Sequence, residues 1–338
     1  MTARVRQQGA RHVNGFSLIE LMVSLAIGLL ITIAIFSAYL GTSAASKMAD
    51  AQARMNEDAQ AALLILSQQL KMAGNNPDQA DRVDDADPTL SSRRNPVYGE
   101  TSYPTGSYTT SNFFVRGCDG QFSNFNSATS LDKLDCSSRG SALPDAIAIN
   151  YEADSFNTIP ASQATSKFST DCVGKRLDTI TAVLPTVVGS GTASTTVTYA
   201  VAGNAFYVSS PTLSGSPSLY CKGNGMASTP QALVENVEDL QFTYGAVDST
   251  TSATTATVAG YLRADELAAL TSVANSSMPW SKVLSVRICV LIRSADQVAV
   301  GDTPARYLNC AGSLVSTPPD RRLRQAYFAT VVLRNRRL

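Results

Sequence analysis

From residue 16 to residue 40 the chain is apolar at almost every position, and Glu20 is its one charge. Beyond Gly41 the pattern becomes periodic. Met55, Ala59, Ala62, Leu63, Leu66, Leu70 and Ala73 recur at steps of three and four, with Arg54, Glu57, Asp58, Gln60, Gln68 and Gln69 between them. No proline falls between residues 16 and 76, so the two patterns predict one helix over about 17–73 that stops at Gly74-Asn75-Asn76-Pro77. The first part is apolar all round, as a membrane span is, and the second has one apolar stripe suited to its own domain's core. Gly28 and Gly41 each weaken the helix by about 1 kcal/mol relative to alanine.

From 77 to about 142 the chain is rich in Pro, Gly, Ser and Asp with no sustained period, which predicts irregular, loop-rich structure. Strand-like alternation then recurs at 145–153, 178–188, 196–208, 233–245, 281–294 and 323–335. The 196–208 segment (TVTYAVAGNAFYV) reads as a hairpin. The Ser/Thr/Ala-rich run at 248–260 reads as a surface loop, and a short helix is expected over about 263–275. The fold class is therefore α+β, with the long helix packed on an antiparallel sheet.

Composition removes several functions. Only 16% of the residues are charged, and 27 basic side chains balance 27 acidic ones, so bulk charge does not favour nucleic acid. The one histidine, His12, lies in the basic stretch 1–15 together with Arg4, Arg6 and Arg11. If that stretch is removed, no histidine remains for triads, zinc motifs or proton shuttling. No G-x-S-x-G, phosphate-binding loop or metal constellation is visible, so no catalytic residue, cofactor or metal site is expected. The acidic run Asp81, Asp84, Asp85 and Asp87 lacks the glycine-centred loop and closing glutamate of an EF-hand and reads as a solvated face. The C-terminal arginines 321, 322, 324, 334, 336 and 337 suit either a nucleic-acid patch or an edge strand blunted by charge; nucleic acid is not the expected partner. Trp280 reads as a buried aromatic anchor.

The six cysteines, Cys118, Cys136, Cys172, Cys221, Cys289 and Cys310, are widely spaced and contain no C-x-x-C pair, which favours disulfides in an oxidising compartment over zinc; six buried thiols are the alternative. Fifteen connectivities are possible. Shortest closure favours Cys118 with Cys136, Cys172 with Cys221 and Cys289 with Cys310. The apolar run exceeds the roughly 7–15 residues of a secretory core and is long enough for a bilayer of about 30 Å, while its basic N-terminal flank keeps that end cytoplasmic and exports the remainder. Glu20 inside this run is costly, and either snorkels to the interface or meets a partner such as a free α-amine.

At G-F-S-L-I-E followed by LMVSLAIGLLI the chain resembles the class III signal of type IV pilins and pseudopilins. LSQQLKMAGNN, LVENVEDLQFTYG, VRICVLIRS and LRQAYFATVVLRNR further resemble minor pilins of the PilW type, whereas 77–232 resembles nothing specific. The resemblance implies a leader over 1–15 that a prepilin peptidase cuts after Gly15, a methylated N-terminus at Phe16 and a docking role for Glu20. It implies a helix over 16–74, transmembrane over about 16–40, and a pilin-like head over 75–338. The implied protein is a structural subunit of type IV pilus assembly, in a tip or priming complex serving twitching, adhesion or DNA uptake. Its partners would be other minor pilins, the major pilin and the inner-membrane assembly platform, and it would pass from the inner membrane, head in the periplasm, to the pilus. A J-type minor pseudopilin of type II secretion and a pilus-associated adhesin are the alternatives.

Overall fold

A computed structural model describes residues 17–75, 114–125, 131–137, 143–154, 157–158, 161–163, 166–188, 191–210, 215–247, 258–270, 279–299 and 304–335. These divide at Asp50 into two units. In the first lies the opening of α1 (Leu18–Met72), and every residue from Leu18 to Leu40 is exposed. Proline-free and without a turn cluster, this segment satisfies its own polar groups: Ser24, Thr32, Ser37 and Thr42 each donate a hydroxyl hydrogen bond to a carbonyl three or four residues earlier.

The second unit begins at Ala51. Here Met55, Ala59, Ala62, Leu66, Leu70 and Ala73 are all buried, as their periodicity predicts, while Leu63 is only half-buried. The helix ends where glycine allows it. Gly74 takes φ +74°, donates to the Asn150 carbonyl at 2.8 Å, and Asn335 Nδ2 caps the Lys71 carbonyl at 2.7 Å.

One antiparallel sheet contains β1 (Val115–Cys118), β2 (Ala146–Ala153), β6 (Gly191–Ser209), β7 (Ser218–Gly223) and β8 (Gln231–Glu235) in that order, with β5 (Ile180–Val188) paired to the first half of β6. A second has the order β10 (Val258–Leu262), β9 (Val237–Val247), β11 (Val283–Arg293) and β14 (Arg324–Val332). Two small ribbons pair β3 (Ala161–Gln163) with β4 (Ser166–Phe168) and β12 (Tyr307–Leu308) with β13 (Leu314–Val315). The inward faces of the larger sheets supply Ile147, Ile149, Phe206, Leu240, Phe242, Val286, Ile288 and Val290 to the core. The distal half of α1 bonds to both: Asn204 on β6 donates to Gln69, and Tyr327 on β14 donates to Asn56. The architecture is thus α+β, a long N-terminal helix followed by antiparallel sheets.

Five readings need correction. The 196–208 segment is not a hairpin; it lies wholly within the 19-residue strand β6. Its Gly203 and Asn204 stay extended because neighbours on both sides take their polar groups. Gly203 donates to Asn224 Oδ1, while the fully buried Asn204 donates to Gln69 and Tyr151 and accepts from the Cys172 amide. Breaking the strand there would strand buried donors.

The single strand expected over 233–245 is two. Asn236, at φ +63°, switches the chain from β8 in one sheet to β9 in the other, and its carbonyl accepts from Arg293. Asparagine tolerates that left-handed geometry better than most residues. The Ser/Thr/Ala run is not loop throughout, since its last three residues begin β10, and the short helix α2 (Ala264–Ala268) occupies only part of the 263–275 span. Within the region read as irregular, Val115–Cys118 forms β1. Trp280 is buried and meets Tyr244 edge-on at 4.9 Å between ring centroids.

Candidate assembly surfaces

Ser17 and Glu20 open α1 as a reciprocal pair. The Glu20 carboxylate accepts from the Ser17 amide at 3.0 Å, and the Glu20 amide donates to the Ser17 hydroxyl at 3.2 Å. This is a capping box, in which two amides that the first turn leaves without helical partners are satisfied and a carboxylate sits at the positive end of the helix dipole. The spacing S-x-x-E is visible in the sequence, but neither interfacial snorkelling nor a partner's amine, the two roles expected for Glu20, includes this local cap. Gly15 and Phe16 lie outside the described residues. So do Asp81, Asp84, Asp85 and Asp87.

The six cysteines form three bridges: Cys118–Cys136, Cys172–Cys221 and Cys289–Cys310, with Cα separations of 5.6, 6.4 and 5.7 Å. Each joins sequence neighbours, and each pins an irregular segment to a strand. The third fastens the β12–β13 segment to β11. Among the described residues no group of three or more His, Cys, Asp or Glu side chains is placed to hold a metal ion.

The C-terminal arginines do not form one basic surface. The Arg324 side chain is 1% exposed and bonds through Nε to Glu238 at 2.5 Å and through Nη1 to Asp320 at 2.7 Å. Those two carboxylates hold its guanidinium more firmly protonated than an ordinary arginine, against the opposing effect of burial. Arg322 pairs with Asp320 and donates to the Ser294 and Ala295 carbonyls. Both arginines are therefore spent on fastening β14 to β9 and to the turn after β11, which leaves less charge for a polyanion than the sequence suggests. Arg336 and Arg337 lie outside the described residues.

A second buried polar group escaped the sequence reading altogether. Asp145, just before β2, accepts from the Phe242 amide at 2.8 Å and neighbours the carboxylate of Asp119, which lies 3.9 Å from Arg263. Burial pushes the Asp145 carboxyl up to about 8, the Phe242 amide opposes that rise, and the neighbouring Asp119 adds to it. Tyr244 is packed beside Gly117, where a Cβ would collide with its hydroxyl. Nothing local in either sequence segment announces this pairing; it exists only because β1, β2 and β9 converge.

Two family models match parts of the chain. Residues 205–335 match the family described as Type IV Pilus-assembly protein W, and residues 10–37 match the prokaryotic N-terminal methylation motif. Over these two segments the chain is similar to type IV pilin-like proteins of the PilW type. No curated protein and no solved structure gives a significant match. The PilW match reaches upstream to residue 205, into β6 and β7, where no resemblance was legible beforehand. These matches point to structural rather than enzymatic work, and the methylation motif fits membrane anchoring through α1 and incorporation into a pilus.

Proposed function

We propose that the protein is a minor pilin that enters type IV pilus assembly in a tip or priming complex. The observation that carries this reading is the methylation motif at 10–37 running directly into an apolar helix that exposes every residue from Leu18 to Leu40. A prepilin peptidase cuts after Gly15, and Phe16 becomes the methylated N-terminus. Residues 16–40 anchor the subunit in the inner membrane, with the head, 75–338, in the periplasm, until it joins other minor pilins and the major pilin at the assembly platform and reaches the cell surface.

Glu20 acquires a specific chemistry in this scheme. Its carboxylate is already engaged by the Ser17 amide, so docking exchanges a local hydrogen bond for an ion pair with the α-amine of a neighbouring subunit. Glu20→Ala is expected to leave insertion and head folding intact while reducing recovery in sheared pili. Equal recovery of the two forms would reject a docking role. Deleting the gene is expected to reduce surface pili and twitching while type II secretion stays normal. Accumulation of exoenzymes in the periplasm would instead assign the chain to secretion, and unchanged filaments with lost attachment would make it an adhesin.

A further inference from the structure

β14 is the last strand of its sheet, and among the described residues it pairs only with β11. Exposed edges are normally short, bulged, or guarded by proline or outward charge, because a row of open amides and carbonyls invites another strand. β14 has nine residues, no proline and no lysine, and keeps regular register with β11 from Arg324 to Val332. Arg324, the one charge within it, is buried against Glu238 and Asp320 and guards nothing.

The register places Val332 opposite Ser285, Thr330 opposite Arg287 and Phe328 opposite Cys289, on the face away from the buried Val286, Ile288 and Val290. Phe328 is 63% exposed and Val332 57%. The Cys289–Cys310 bridge ties the β12–β13 segment to the same face, where Leu308 and Leu314 are also exposed. Glu238 and Asp320 neutralise the Arg324 end of the strand, and the exposed charges on the segments beside its outer face are cationic. Residues 281–293, 304–316 and 323–335 contain Lys282, Arg287, Arg293, Arg306, Arg324 and Arg334 and no Asp or Glu, and Arg287, Arg306 and Arg334 are exposed.

We propose that β14 accepts an added β-strand from a different protein, an extended segment with apolar residues on one face and carboxylates near its ends. Backbone pairing would supply affinity, Phe328 and Val332 would select apolar neighbours, and the arginines would select the acidic ends. A second copy of this chain is the wrong occupant. Its own β14 presents Phe328 and Val332 with no carboxylate in the strand, so it lacks the acidic ends that the exposed arginines would select. The inference rests on the protein being an assembling subunit, and it names the kind of surface its partner presents.

The test uses the full chain in detergent micelles and a fluorescent synthetic peptide, Glu-Val-Thr-Val-Thr-Val-Thr-Val-Glu, against the same peptide with lysine at both ends. The acid-ended peptide is expected to bind about tenfold or more tightly than the lysine-ended one. Phe328→Lys with Thr330→Lys, both outward-facing changes, is expected to abolish binding without shifting thermal unfolding. In the free chain, amide exchange along β14 is expected to alternate between slow and fast, since alternate amides face the open edge. Equal affinity for the two peptides, no binding at millimolar peptide, or binding that survives the double substitution overturns the proposal. So does uniform slow exchange along β14, which would mean that another part of this chain already pairs with it, or ready homodimer cross-linking of a Thr330→Cys variant. Loss of pili on gene deletion without peptide binding would reject strand addition alone; peptide binding with pili unaffected would reject the assembly role alone.

Discussion

Residues 18–40 and 55–73 are drawn from the same stretch of helical sequence, yet Leu30 is 66% exposed and Leu66 is 1% exposed. Both are leucines with the same helical preference. What separates them is the spacing of their apolar neighbours: continuous in the first segment, every third or fourth position in the second. A continuous apolar surface needs a solvent of its own kind or like helices around it, whereas a stripe is satisfied by one core. The head also spends its polar groups inside itself, on Asn204, Asp145 and Arg324, while the span satisfies its hydroxyls within single turns of helix. One half of α1 is thus built to be buried by other molecules and the other by its own chain.

The sharpest way to break that contrast is to truncate a leucine in each half. Leu66→Ala is expected to destabilise the head by about 2–5 kcal/mol, because it deletes fully buried methyl groups and leaves a cavity. Leu30→Ala is expected to leave the head's thermal unfolding unchanged. Circular dichroism melts of both proteins in detergent check the pair, and a comparable fall in both would remove the distinction.

Next in size is the Cys289–Cys310 bridge, which holds the β12–β13 segment on β11. Replacing both cysteines by alanine is expected to cost about 2–4 kcal/mol, and non-reducing peptide mapping of the unaltered chain should recover this pair together with Cys118–Cys136 and Cys172–Cys221.

A somewhat smaller effect is expected at Gly117. Gly117→Ala must displace the buried Tyr244 hydroxyl, an overpacking change that costs about 1–3 kcal/mol, read as a lowered denaturation midpoint.

The interior of the head should also respond to pH. The Asp145 carboxyl is raised to about 8 in the fold, mainly by burial, and has an ordinary value near 3.9 when unfolded. Between those values the unfolded chain has released the proton and the folded chain keeps it, so this group's contribution to stability is full below about pH 4 and is lost progressively as pH rises toward 8. Asp145→Asn is expected to flatten that slope in denaturant titrations run at pH 5 and pH 8. An unchanged slope would show that another group carries it.

The smallest expected effect lies at the other end. Ser17→Ala removes one half of the capping box and should loosen the first turn by about 1 kcal/mol, seen as faster amide exchange near Leu18–Leu21 with no change in head unfolding.

Local order was what the amino-acid sequence determined by itself. The uninterrupted helix and its stop at Gly74, the two kinds of apolar pattern along it, and strands such as 281–294 and 323–335 all follow from periodicity and from a few residues with strong backbone preferences. The hairpin expected over 196–208 shows the limit of that logic: Asn204 stays in strand because Gln69, Tyr151 and Cys172, far away in sequence, consume its hydrogen bonds. Tertiary structure alone likewise made Asn236 a switch between sheets, turned Arg324 from a surface charge into a buried clasp with Glu238 and Asp320, set Asp145 beside Asp119, and left β14 as an edge with Phe328 outward. Helical periodicity is written in neighbours three and four apart, so it can be read locally. Burial, pairing and the protonation of a carboxyl depend on which distant segment arrives to exclude water, and that is settled only when the sheets close.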